Sequence, residues 1–125
     1  MAKKILVAED SPTVLAMVKA AISQEGYEVH TAVDGIEALN KARSVVPDLI
    51  ILDLMLPKMD GYNICRMLKF DAKFKDTPIF MFTARSGEAD KAMGEQMGAN
   101  EYIPKSASME ELDYLIGKIK EYLGE

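Results

Sequence analysis

The chain has 125 residues, enough for one domain with a core of its own and too few for two. A formal net charge of −5 sets it against phosphate backbones and anionic membranes, so neither nucleic acid nor a membrane is an expected partner. The single cysteine, Cys65, excludes an internal disulfide and fits a reducing compartment, and the single histidine, His30, excludes a multi-histidine metal site.

At the N-terminus, Lys3-Lys4 precedes only Ile5-Leu6-Val7-Ala8 before two acids. That run is far too short for a signal peptide or a membrane span, so a cytoplasmic protein is expected. It reads instead as a buried strand ending in Glu9-Asp10. Ser11-Pro12 then suits a helix start, and Val14, Val18 and Ile22, with Leu15 and Ala21 beside them, give that helix an apolar face closed by Gly26. Residues 28–32 alternate around Val29 and Thr31 as a second, more exposed strand. Asp34-Gly35 opens a second helix with Ile36, Leu39 and Ala42 as its stripe and Pro47 as its end.

Leu49-Ile50-Ile51-Leu52 is the pattern of a strand buried on both faces, and it delivers Asp53 at its exit. A loop over residues 54–60 leads to a third helix marked by Ile64, Met67 and Leu68, followed by a polar linker over 73–76. Ile79-Phe80-Met81-Phe82 is a fourth strand ending in Thr83-Ala84. Ala89, Met93 and Met97 predict the inner face of a fourth helix stopped by Gly98. Glu101-Tyr102-Ile103 is a short fifth strand ending in Pro104-Lys105, and Met109, Leu112, Ile116, Ile119 and Leu123 space a last amphipathic helix. Strand and helix alternate five times, which predicts a parallel sheet wound on both faces by right-handed crossovers.

In such a sheet the strand exits share one edge, where ligands bind. That edge collects Glu9, Asp10, Asp53, Thr83 and Lys105. Clustered carboxylates repel in a site of reduced dielectric, so either one protonates or a divalent cation binds. Oxygen donors without histidine or thiolate favour Mg²⁺ over zinc. Asp53 can also serve as a nucleophile toward phosphorus. Lys105, the Thr83 hydroxyl and the Ala84 N–H then suit phosphoryl oxygens. Each residue alone has a plainer use, as a helix cap or a solvated charge; the coincidence of four strand ends carries the functional reading.

These pieces resemble the receiver domain of two-component response regulators, of the stand-alone chemotaxis type. The matching segments are Ile5 through Asp10, Asp53 through Leu56-Pro57-Lys58-Met59-Asp60-Gly61, Thr83-Ala84, and Gly98-Ala99 followed by Tyr102 and Lys105. The resemblance covers residues 1–125 as a single receiver domain. It implies a doubly wound, flavodoxin-like α/β fold of five parallel strands in the order 2-1-3-4-5. It implies that Asp53 accepts a phosphoryl group from a histidine kinase or phosphotransfer protein. Asp10, Asp53 and the Met55 backbone carbonyl would ligate Mg²⁺, with Glu9 acting through water. Thr83, Ala84 and Lys105 would bind the phosphoryl group, and Tyr102 would turn inward as Thr83 moves. The altered face of the fourth helix, fifth strand and fifth helix would bind a downstream protein. The domain would assist its own phosphorylation and dephosphorylation without being an enzyme. With no sequence after Glu125, the signal is expected to leave through a protein interface, although a piece of a longer regulator would read identically.

Two positions depart from the family pattern. Glu9 stands where the family more often has Asp. Ser106 follows Lys105 where the family usually has a cis proline, and a cis bond to serine would cost about 3 kcal/mol. Met55 and Arg85 match positions that tune phosphate lifetime. Other features have quiet explanations: Met93, Met97 and Met109 as core filling, Cys65 as a structural thiol, and Gly98 of Gly94-Glu95-Gln96-Met97-Gly98 as a helix cap. Three rival functions fit these residues less well. A pseudo-receiver would bind proteins without phosphorylation. A flavin carrier would need a glycine- and hydroxyl-rich loop where Glu9-Asp10 stands. An aspartate-based phosphatase would need an acid at Met55.

Overall fold

The structure is a computed structural model that describes residues 2–84, 87–105 and 109–124. Five strands, β1 (Lys4–Ala8), β2 (Glu28–Ala32), β3 (Leu49–Leu52), β4 (Ile79–Thr83) and β5 (Glu101–Pro104), alternate with five helices. The helices are α1 (Pro12–Gln24), α2 (Gly35–Val45), α3 (Gly61–Lys69), α4 (Glu88–Gln96) and α5 (Met109–Leu123). The strands form one parallel sheet in the order β2-β1-β3-β4-β5, as the resemblance implies.

Alternate strand residues feed opposite cores. Leu6, Ala8, Ile50, Leu52, Ile79 and Met81 meet α2 and α3 through Ala38, Leu39, Ala42, Ile64, Cys65 and Leu68. Ile5, Val7, Leu49, Ile51, Phe80 and Phe82 meet α1 and α5 through Val18, Ile22, Leu115 and Ile119. Burying each such aliphatic side chain is worth about 2 kcal/mol, and this is what an unbroken apolar strand encodes.

The helix starts are written locally. Ser11 caps α1, its Oγ accepting the Val14 N–H at 3.4 Å with Pro12 in the first helical position. Asp34 caps α2 and Asp60 caps α3, accepting from Glu37 at 2.8 Å and Asn63 at 2.9 Å. Gly26 and Gly98 take the left-handed conformation past α1 and α4, at φ 93° and 97°. Ahead of Pro47 the chain leaves α2 through Val46 at φ 53°, a costly conformation for a β-branched residue.

Four expectations about faces fail. Ile36, on the predicted α2 stripe, is 42% exposed. The polar linker over 73–76 contains Phe74, which is fully buried beneath α3. Met67, Met93 and Met109 face outward rather than filling the core. In α4, Ala89 is likewise exposed, and the buried residue is Gly94. The physical reason is the same in each helix: these sit at the edge of the sheet or near a helix end, where only part of the apolar stripe finds a partner. Among the described residues, no helix is long and apolar enough to cross a membrane.

Candidate functional site

The site is assembled by the adjacency of β1 and β3. Ala8 pairs with Leu52 in register, and the Asp53 N–H donates to the Ala8 carbonyl at 3.0 Å. Glu9 is fixed by its own N–H, which donates to the Ala32 carbonyl at 2.9 Å. The two chains therefore leave the sheet side by side, and carboxylate oxygens of Glu9, Asp10 and Asp53 lie within 4.8 Å of one another. Glu9 and Asp53 are buried and Asp10 is exposed at the rim.

Lys105 closes the cluster from β5. Its N–H donates to the Thr83 carbonyl at 2.7 Å, which fixes the backbone. Its ammonium spans two acids, donating to Glu9 Oε1 at 2.6 Å and Asp53 Oδ2 at 2.9 Å. The second oxygen of Glu9 accepts the Ser11 N–H at 3.0 Å, and the second oxygen of Asp53 accepts the Met55 N–H at 3.1 Å. Burial pushes Glu9 above the usual carboxylate range, and the nearby Asp53 charge adds to this against the pull of Lys105 and the Ser11 N–H. Burial also acts to lower the Lys105 ammonium, but its bonds and charges shared with Glu9 and Asp53 outweigh it and raise the pKa.

A glycine makes the packing below Asp53 possible. A Cβ on Gly61 would lie 2.6 Å from the Asp53 carbonyl oxygen and 3.0 Å from Leu54 Cα. The Gly61 N–H donates to the Leu54 carbonyl at 2.9 Å, so the first turn of α3 is docked onto the exit of β3. Gly35 has a similar role next door: a Cβ there would meet the Met59 carbonyl oxygen at 2.1 Å, and its N–H donates to the Pro57 carbonyl at 2.9 Å.

Every described residue expected at this edge is there, though not each in the anticipated attitude. Thr83 is buried at the end of β4, beside β3, and Ala84 follows it at the surface. Tyr102 is half-buried on β5, with its ring against Gly94 of α4. Met55 offers its amide to Asp53, and its side chain is 59% exposed. The sequence pointed Lys105 at a phosphoryl oxygen; here it neutralises Glu9 and Asp53. Arg85 and the Lys105–Ser106 bond lie outside the described residues. The close packing at Gly61 and Gly35 was missed because a glycine at a helix start reads as a turn. The Lys105–Glu9 pair was missed because it joins residues 96 positions apart.

The cluster suits a hard divalent cation. All its donors are carboxylate oxygens, and a positive charge is already drawn between two of them in the form of the Lys105 ammonium. Cys65 takes no part. It is buried in the core with its thiol 3.4 Å from the Met97 carbonyl, and burial pushes its pKa to about 11.

Comparison with known proteins decides the family. The family model described as "Response regulator receiver domain" matches residues 5–116. The chain belongs to the response regulator receiver family. Protein PilG of Pseudomonas aeruginosa is 37% identical over 120 residues, spanning 96% of this chain and 87% of that protein. The alkaline phosphatase synthesis transcriptional regulatory protein PhoP of Bacillus subtilis is 42% identical over 113 residues, 90% of this chain but 46% of that regulator. The chain thus spans about half the length of several of the curated relatives it matches. The crystallised chemotaxis response regulator CheY4 of Vibrio cholerae superposes with a TM-score of 0.88 at 33% identity, covering 95% of this chain and 99% of that one.

Proposed function

We propose that this receiver is a switch thrown by transfer of a phosphoryl group to Asp53. The observation that carries the reading is the state of Asp53 itself: a buried carboxylate at a strand exit, held by Lys105 and the Met55 N–H, inside a cluster of three acids. The donor is a phosphohistidine on a histidine kinase or phosphotransfer protein. An Asp53 oxygen attacks the phosphorus as the phosphorus–nitrogen bond breaks, and that electron pair returns to the imidazole. The products are an acyl phosphate on Asp53 and the free histidine of the donor.

The residues divide the remaining work. Glu9, Asp10 and Asp53, with the Met55 carbonyl, would hold Mg²⁺, which supplies charge neutralisation at the phosphoryl oxygens. Lys105 leaves the carboxylates and follows the negative charge onto the phosphoryl group. The Thr83 hydroxyl and the Ala84 N–H donate to its remaining oxygens. Recruitment of Thr83 vacates space beside β5, into which Tyr102 turns. The remodelled face of α4, β5 and α5 binds a downstream protein. The domain acts once per phosphoryl group received and does not turn over a separate substrate, so it is a self-assisting acceptor and not an enzyme. A cytoplasmic setting fits this chemistry, because the phosphodonor is replenished from ATP.

Intact mass after incubation with acetyl phosphate and Mg²⁺ tests the reading. The expected result is one phosphoryl adduct that requires Mg²⁺ and is absent in Asp53→Asn. If neither this adduct nor a response to Mg²⁺ and beryllofluoride in amide NMR spectra is seen, the switch reading fails and a phosphorylation-independent binding module takes its place.

A further inference from the structure

Helix α4 is the least deeply seated helix of the fold. Gly94 is its one buried residue, where α1 and α5 each bury two and α2 and α3 bury four. Its N-cap, Gly87, provides no side-chain hydrogen bond. Two tyrosine rings make its seat. A Cβ on Gly94 would lie 2.9 Å from Tyr102 Cδ2 and 3.8 Å from Tyr62 Cε1, so the bare backbone settles into the notch between them.

Tyr62 does more than line the notch. Its hydroxyl donates to the Asp90 carbonyl at 2.6 Å and lies 3.5 Å from the Asp90 carboxylate. The bond joins the first turn of α3 to the first turn of α4. The α3 end of this bond is tied to the acceptor: Tyr62 follows Gly61, whose backbone packs against the Asp53 carbonyl and donates to Leu54. A continuous line of contacts therefore runs from Asp53 through Gly61 and Tyr62 to Asp90.

We propose that Tyr62 is a positioning residue that latches α4 to the Asp53 loop and holds it in the unphosphorylated arrangement, so that the latch opposes switching. The inference rests on the reading of Asp53 as a phosphoryl acceptor. In the switching proposed above, Tyr102 changes its place beside Gly94 and so alters one wall of the notch. The Tyr62 hydroxyl bond restrains the first turn of α4, and any displacement of that turn away from α3 breaks it. A contact present in one state and lost in the other sets the balance between them, and ligand affinity follows that balance by linkage.

Tyr62→Phe tests this, because it deletes the hydroxyl and keeps the ring that packs on Gly94. The readout is beryllofluoride affinity in the presence of Mg²⁺, followed by amide NMR titration, alongside thermal stability without ligand. The loss of one hydrogen bond from the unliganded state alone predicts beryllofluoride binding about fivefold tighter than in the wild type. A merely structural tyrosine would lower stability in both states and leave the affinity unchanged. Unchanged or weaker binding by the folded variant overturns the latch while leaving the acceptor reading intact. A wild-type protein that binds no beryllofluoride at all sinks the acceptor reading and the latch with it.

Discussion

Replacing Lys105 by methionine removes the one ammonium that spans Glu9 and Asp53 while keeping most of the side-chain volume. In the metal-free protein this leaves two buried carboxylates beside Asp10 without the charge that pairs them. Breaking a buried ion pair from one side costs about 3–5 kcal/mol. Lys105 retains 15% side-chain exposure, which lets water soften the loss, so about 3 kcal/mol is expected. For a domain of this size that corresponds to a drop in Tm of about 10 °C in EDTA. Two rescues follow from the chemistry. Mg²⁺ at a hundredfold excess over its Kd would return about 2.7 kcal/mol by binding only the folded state. Acid would also help. Glu9 has its folded pKa raised by burial, so the stability linked to its protonation is full below the ordinary carboxylate range and is lost as pH rises through the folded value. The deficit of Lys105→Met is therefore largest at neutral pH and shrinks as pH falls through the raised Glu9 pKa. Urea denaturation followed by circular dichroism, with and without Mg²⁺ and across mildly acidic pH, measures all three effects. A variant as stable as the wild type in EDTA, or a deficit untouched by both Mg²⁺ and acid, would refute the view that Lys105 stands as counter-ion to this cluster.

Two other substitutions test the surrounding scaffold. Gly61→Ala places a methyl group 2.6 Å from the Asp53 carbonyl oxygen, so backbone must shift. A stability loss of about 1–3 kcal/mol is expected, with slower acetyl phosphate labelling of Asp53 than in a surface alanine control. At the far edge, the hydrogen bond from Tyr122 to Glu101, at 2.6 Å, is the main reason the phenol is pushed up to about 12. Its contribution to stability is complete below the ordinary tyrosine value of 10.0 and is lost as pH rises through about 12. Alkaline absorbance titration is expected to show the Tyr122 phenol ionising at lower pH in Glu101→Gln than in the wild type.

Much of this protein is settled by short-range pattern. Leu49 to Leu52 are apolar in sequence because each of the four touches a core, and no exposed strand could carry that run. Ser11, Asp34 and Asp60 announce their helices because a cap bonds only three residues ahead. The convergence of Glu9, Asp53, Thr83 and Lys105 was legible too, because parallel strands must release their C-terminal ends on one edge. What the tertiary structure alone decided depends on distances the sequence does not encode. Phe74 hides in a polar stretch because the turn after α3 folds back beneath it, and Met93 and Met109 stay outside because their helices meet the sheet over a narrower face than their apolar stripes. Lys105 reaches Glu9 across 96 positions of the chain, and Gly61, Gly35 and Gly94 matter for the atoms that crowd them, not for any turn they permit. Periodicity tells a residue which way to face along its own helix or strand; which atom waits there is decided only when the elements pack.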